Sequence, residues 1–208
     1  MKNIRFLFLL MTVHYAVAQN HHIPLALDST NTEVFNREVS FDEGVVYLDE
    51  KPNAGFLWFK GIHFKNGRIE LDIKGRDVKV RSFVGVTFHA QDEKTYESVY
   101  FRPFNFNSPQ MKTHAVQYIS IPGNDWYELR QKYPDKYEAE VVPPPGAEDW
   151  FHVSIVVDYP NIKVYVNDAE KPCLEVNQIS TTQEGKLGLW LGNNSNGWFK
   201  NIRIYPAD

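Results

Sequence analysis

Cysteine is nearly absent from this chain. Cys173 is the only one among 208 residues, so no intrachain disulfide can form and stability must come from packing. Runs of like charge are also missing, and the formal net charge is −4. Nucleic acid and anionic membrane surfaces both demand concentrated Lys and Arg, which excludes them as main partners. Long hydrophobic runs are lacking as well. The most apolar stretch, Phe6 to Val13, is too short to span a bilayer, so no membrane insertion is expected. There is no zinc-type Cys/His cluster, no phosphate-cradling glycine loop, no internal repeat and no low-complexity segment.

What is present at the start has the form of a secretory signal peptide. Lys2 and Arg5 precede the apolar stretch, and Ala16-Val17-Ala18 offers a small-residue cleavage site. The expectation is a protein secreted or periplasmic after cleavage near Ala18, with no cysteine beyond that point to carry a lipid. Loss of Lys2 and Arg5 lowers the net charge by a further two units. Residues 1–18 are thus assigned to the signal peptide, 19–37 to a lead-in, and 38–208 to one domain large enough to bury its own core.

Strand patterns dominate that domain. In Arg68 to Lys74, Ile69, Leu71 and Ile73 alternate with Glu70, Asp72 and Lys74, the period of a half-buried strand. Phe83 to His89 is nearly all apolar, as a central strand covered on both faces would be. Ser98 to Phe104 reads as its partner, ending near Pro103. Further strands are read at Val45 to Leu48, Ala54 to Lys60 and Ala115 to Ile121, and a hairpin at Trp150 to Asp158 and Ile162 to Asn167. One short helix is predicted near 125–132, opened by Asp125 with Glu128 three residues on and stopped before Pro134. The run Gly185 to Ile204 reads as two strands joined by a polar Asn-Asn-Ser-Asn-Gly turn, a closing hairpin. Leu187, Leu189 and Leu191 there alternate with Gly188, Trp190 and Gly192. Roughly ten to twelve short strands make the class all-β: a two-sheet antiparallel β-sandwich, or jelly roll, with one short helix.

The order Glu70-Leu-Asp-Ile-Lys-Gly75, Phe83-Val-Gly-Val-Thr-Phe-His89, Tyr96-Glu-Ser-Val-Tyr-Phe-Arg102, Trp150-Phe-His-Val-Ser-Ile-Val156, Ile162-Lys-Val-Tyr-Val-Asn167, Gly185-Lys-Leu-Gly-Leu-Trp190 and Phe199-Lys-Asn-Ile-Arg-Ile204 resembles the concanavalin A-like lectin/glucanase superfamily. It resembles especially the laminin-G-like jelly rolls, and is similar to exported bacterial domains assigned to keto-disaccharide hydrolysis. The resemblance spans roughly residues 38 to 206. It implies a jelly roll whose concave face or edge loops meet carbohydrate, without by itself implying catalysis. Such folds often hold one structural calcium ion among carboxylates and carbonyls. Asp42, Asp49, Asp158 and Asp208 are the scattered acids on offer. With no ligand-spaced run, no metal site is assigned and no cofactor is expected beyond that ion.

Three groups could carry chemistry. Glu70 and Asp72 project to one strand face, but laminarinase-type hydrolases of this fold add a third carboxylate where this chain has Lys74 and Gly75. The retaining pair is therefore incomplete, and a solvated strand face is the plain alternative. Tyr100 and Arg102 share a strand face with Asn105 just beyond. Gln117 or Tyr118 is expected from the neighbouring strand, and Trp190 is a candidate stacking platform. An aromatic plane with Arg, Asn and Gln donors suits the C–H faces and hydroxyls of a sugar. His89 is the candidate general base, because its unperturbed pKa lies near neutrality. Trp126 and Arg130, four apart on the helix, are read as a lid or as packing. The leading expectation is an exported, noncatalytic domain that binds carbohydrate or a glycan-bearing partner. The alternative is a glycosidic hydrolase or lyase acting on a plain or oxidised sugar through His89, Tyr100, Arg102 and either Glu70 or Asp72. A structural or protein-interaction module is the third.

Overall fold

The computed structural model describes residues 22–207; the expected signal peptide lies outside them. In chain order the first strands are β1 (Thr32–Phe35), β2 (Val39–Asp42), β3 (Val45–Lys51), β4 (Gly55–Phe64) and β5 (Gly67–Lys74). Then come β6 (Val84–Asp92), β7 (Thr95–Phe101), β8 (Val116–Ile121), helix α1 (Trp126–Lys132) and β9 (Glu138–Ala139). The last are β10 (Phe151–Asp158), β11 (Asn161–Val166), β12 (Leu174–Asn177), β13 (Gly185–Leu191) and β14 (Ser195–Pro206). They form two seven-stranded antiparallel sheets, β1-β4-β13-β6-β7-β8-β9 and β12-β11-β10-β5-β14-β3-β2. This is the β-sandwich expected from the alternation. Among the described residues no helix is long and apolar enough to cross a membrane.

The core lies between the sheets. Ile69, Leu71 and Ile73 of β5 pair with Ile155, Val153 and Phe151 of β10 and point inward together. Val84, Val86 and Phe88 of β6, Val99 and Phe101 of β7, and Leu189 of β13 face them from the other sheet. Phe101 and Phe151 meet across the gap with ring centroids 5.2 Å apart. Each such side chain, fully buried, contributes about 1.5–3 kcal/mol, which is how the fold stands without a disulfide. The strand β6 is buried from Val84 to Ala90, the polar Thr87 and His89 included, and exposed only at Gln91 and Asp92.

The closing run is not a hairpin. β13 lies in the first sheet between β4 and β6, while β14 lies in the second between β5 and β3. Its polar turn crosses the sandwich and is tied at each end to a different sheet. Gly192 N donates to Phe83 O at 3.0 Å, and Asn194 N to Lys51 O at 2.9 Å. Alternation tells which face of a strand is buried and nothing about which strand it bonds. Two other readings shift. The strand ending at Phe104 stops at Phe101, because Pro103 opens a short 3-10 turn to Asn105. Within the expected lead-in, residues 32–35 form β1 on β4, and Ile23 N donates to Ile204 O at 2.8 Å.

Candidate functional site

Strand register lines up one transverse row on the outer face of the first sheet. Phe56 pairs with Trp190, Trp190 with Gly85, Gly85 with Tyr100, Tyr100 with Gln117, and Gln117 with Glu138. Directly paired residues share a face, so aromatic rings fill one half of the row and polar groups the other. Gly85 is the gap in the middle. A Cβ there would lie 2.1 Å from Val99 O and 2.7 Å from Tyr100 Cβ. Its absence lets Trp190 and Tyr100 meet across β6, with centroids 4.8 Å apart.

Above this row runs a groove in two compartments. The first, about 220 Å³, has Trp190, Tyr96 and Tyr100 as its floor, Ile119 and Ile121 on one flank, and Asp125 and Asn193 as polar groups. The second, about 210 Å³, is lined by Val80, Phe104 and Met111 with Arg102, Asn105, His114 and Arg130. Phe83 and Trp126 border both. Trp126 stands 40% exposed on the first turn of α1. Asp125 caps that helix and accepts from the Trp126 N–H. Burial raises the Asp125 carboxyl above the ordinary range, against the pull of that hydrogen bond and of Arg102.

The polar half of the row is a charged cluster. Arg130 Nε and Nη2 donate to Glu138 Oε1 and Oε2 at 2.7 and 2.5 Å, a bidentate pair. His114 Nδ1 lies 2.8 Å from the same Oε2 in an ion-pair contact, not a well-aligned hydrogen bond. Arg102 Nη1 lies 3.8 Å from it. Burial pushes the Glu138 carboxyl up, but the hydrogen bonds and charge of Arg130, with His114, outweigh it and hold it below the usual range. Arg102 commits three of its five donors: Nη1 donates to His114 O at 2.9 Å, and Nη2 to Tyr100 Oη at 2.7 Å and Gln117 Oε1 at 3.3 Å. Asn105 Nδ2 donates to the same His114 carbonyl at 3.1 Å. Burial drives the Tyr100 phenol well above its ordinary range, so it is a neutral hydroxyl here.

Of the residues singled out from the sequence, Tyr100, Arg102, Asn105 and Trp190 line this groove, and Gln117 lies buried behind them, accepting from Arg102. Tyr118 does not. It is the inward neighbour of Gln117, fully buried between the sheets, where its hydroxyl donates to Glu97 and accepts from Ile179 N at 3.0 Å. Alternation allows only one of the two to face the groove. His89 is 1% exposed and both ring nitrogens are occupied, Nε2 by Lys65 O at 2.5 Å and Nδ1 by Gln178 Oε1 at 2.9 Å. Nothing is left to take a substrate proton. Glu70 and Asp72 sit on the outer face of the other sheet, where Glu70 pairs with Arg68 at 3.0 Å and Asp72 with His152 at 2.8 Å. The expected enzymatic set of His89, Tyr100, Arg102 and a β5 carboxylate therefore does not converge. Among the described residues no three His, Cys, Asp or Glu side chains gather as metal ligands.

Sequence reasoning missed Tyr96, Phe83, His114 and Glu138. Tyr96 was visible as the alternate of Tyr100 on the same strand. His114 and Glu138 carried no signal, because a 3-10 turn and a two-residue strand bring them together only through the pairing of β8 with β9.

No curated protein matches this chain. Solved structures share its fold. A carbohydrate-binding module, CBM66 of Bacillus subtilis, is 15% identical with a TM-score of 0.62, over 87% of this chain and 99% of its own. A Parabacteroides distasonis protein, provisionally assigned as a glycosyl hydrolase, is 19% identical with a TM-score of 0.60, over 90% and 100%. The exoplasmic/lumenal domain of VIP36, in its Ca²⁺/Man3GlcNAc-bound form, is 10% identical with a TM-score of 0.62, over 91% and 90%. Identities this low speak to the fold alone. The 3-keto-α-glucoside-1,2-lyase-like domain profile matches residues 25–205, nearly the whole described chain, and the protein is a member of that domain family.

Proposed function

We propose that this protein binds the sugar ring of an α-glucoside in the first compartment of the groove. One observation carries the reading: a floor of Trp190, Tyr96 and Tyr100 opens beside only two polar side chains, Asp125 and Asn193. Apolar walls with a few directed polar groups are the usual make-up of a small-molecule site, and a sugar offers C–H faces to the first and hydroxyls to the second. The outer face is thus hollowed rather than filled, which speaks against a purely structural module. The family's α-glucoside name and the carbohydrate-binding structural relatives support the same class of ligand. Calorimetry with methyl α-glucoside tests it. Binding that weakens at least about tenfold in Trp190→Ala is expected; no heat at millimolar sugar in the parent protein defeats it.

A second reading has its own observation. His114 Nδ1 faces Glu138, which leaves Nε2 for the second compartment, lined also by Arg102, whose Nη2 holds the Tyr100 hydroxyl; on this reading the reacting ring occupies that compartment. A carboxylate behind an imidazole orients it as a base. With a 3-oxo-α-glucoside bound, Nε2 would take the proton from C2, acidified by the neighbouring ketone. The electron pair forms the C1–C2 double bond as the C1–O bond breaks, and the departing oxygen takes up a proton. Arg102 and the Tyr100 hydroxyl would receive the developing enolate charge. Enone absorbance would follow this elimination. His114→Ala is expected to slow it by about 100-fold or more while the affinity for methyl α-glucoside stays; an unchanged rate removes His114 from the role.

A further inference from the structure

We propose that the second compartment receives the non-sugar part of the glycoside, and that this part is an aryl group carrying an acid substituent. The inference rests on the sugar reading for the first compartment and extends it. Five of the nine lining residues are apolar: Val80, Phe83, Phe104, Met111 and Trp126. Val80 is 69% exposed and Met111 40% exposed, so the groove's rim offers apolar surface to something other than this chain. A second sugar ring would ask for hydroxyl partners along its whole length. Here the polar groups gather around His114 and Glu138, and two of them, Arg102 and Arg130, are guanidiniums.

That cluster is built for an anion. Arg130 uses Nε and Nη2 on Glu138, and among the described residues its Nη1 has no partner. Arg130 Nη2 and His114 Nδ1 both touch Glu138 Oε2, so that carboxylate holds the two side chains against each other. Glu138 itself lies behind them with its side chain 3% exposed. One buried carboxylate thus stands against two guanidiniums, Arg102 and Arg130, and an imidazole. Asp125, the other acid near Arg102, faces the neighbouring compartment. A carboxylate on a planar ring would receive Arg130 Nη1 while its ring lies between Phe83, Trp126 and Met111. Val80, exposed on the rim, has φ 57, a conformation that Asp keeps more readily than a β-branched residue.

Calorimetry on the full chain would compare methyl, phenyl and 4-carboxyphenyl α-glucoside, maltose and benzoate. The carboxyphenyl glucoside is expected to bind about tenfold more tightly than the phenyl glucoside at low salt, the advantage shrinking with added salt. Arg130→Gln should erase that advantage and leave methyl α-glucoside unchanged. If loss of its Glu138 pair unfolds that variant, Val80→Asp serves instead. The position is exposed, its backbone conformation suits Asp better than Val, and a negative charge there should cost the carboxyphenyl ligand alone about tenfold. Equal affinity for phenyl and carboxyphenyl glucosides, or tighter binding of maltose than of either, overturns the proposal. Failure of methyl α-glucoside to bind, with benzoate still bound and lost in Val80→Asp, would sink the sugar reading while supporting the aryl-acid compartment.

Discussion

His89 and His114 differ in what their ring nitrogens meet, and that decides their roles. His89 links Lys65 O to the Gln178 amide, which in turn donates to Thr182 O. Burial pushes its imidazole below the ordinary value despite those contacts. Removing it strands a buried carbonyl and amide, a loss of about 2–3 kcal/mol. His89→Ala should therefore melt earlier yet bind ligand with unchanged affinity once folded; a folded variant with lost affinity would return His89 to the site. Glu97 is the mirror case. It lies on the inward row of β7, with Tyr118 and Ser120 donating to it and no cation among the described residues beside it. Burial raises its carboxyl above the ordinary value, so its contribution is fully present below about pH 4.3 and is lost as pH rises through the folded value. Urea titrations from pH 4 to 9 should show this decline in the parent and not in Glu97→Gln. Parallel curves would mean that Glu97 titrates alike folded and unfolded. Arg37 follows the same logic of buried partners: its Nη groups hold the carbonyls of Asn36, Asn53, Leu191 and Gly192, and burial lowers it to about 10.

At the scale of elements, the period-2 pattern was readable and the pairing was not. Ile69, Leu71 and Ile73 face the core as their spacing requires, and Asp125 caps α1 as its position before the helix suggests. Yet the Gly185–Ile204 run divides between two sheets, because a polar turn serves a crossing as well as a hairpin. The site suffers from the same ambiguity. Tyr100, Gln117 and Glu138 become neighbours only through register, and no local signal in a two-residue strand announces Glu138. Gly85 is the informative exception, since a glycine inside a central strand marks a close approach. The neighbours of an added Cβ there are backbone atoms, at 2.1 Å for Val99 O and 2.6 Å for Tyr100 Cα, and backbone gives way poorly. Gly85→Ala should cost about 2–3 kcal/mol, a fall of roughly 5–10 °C in Tm for a domain of this size. It should also push Trp190 and Tyr100 apart and weaken sugar binding. A stable variant with full affinity would show that the row is not what shapes the groove.

For the molecule as a whole, the groove and the core are separate demands on one sandwich. The inward faces of both sheets supply stability, and the outer face of the first sheet alone supplies the groove. A ligand that binds only the folded protein stabilises it by mass action, about 2.7 kcal/mol at a free concentration one hundred times its Kd. For this chain length that is a rise of roughly 5–10 °C in Tm, large enough to read by differential scanning fluorimetry. The separation makes the variants diverge. His89→Ala, damaged between turn and sheet, should start from a lower Tm and keep the full ligand-induced rise. Trp190→Ala, damaged at the floor of the groove, should lose most of the rise at the same ligand concentration, even if its ligand-free Tm also falls. If both variants keep the rise, the ligand sits elsewhere than on the outer face of the first sheet. If both lose it, groove and core are coupled more tightly than two independent faces allow.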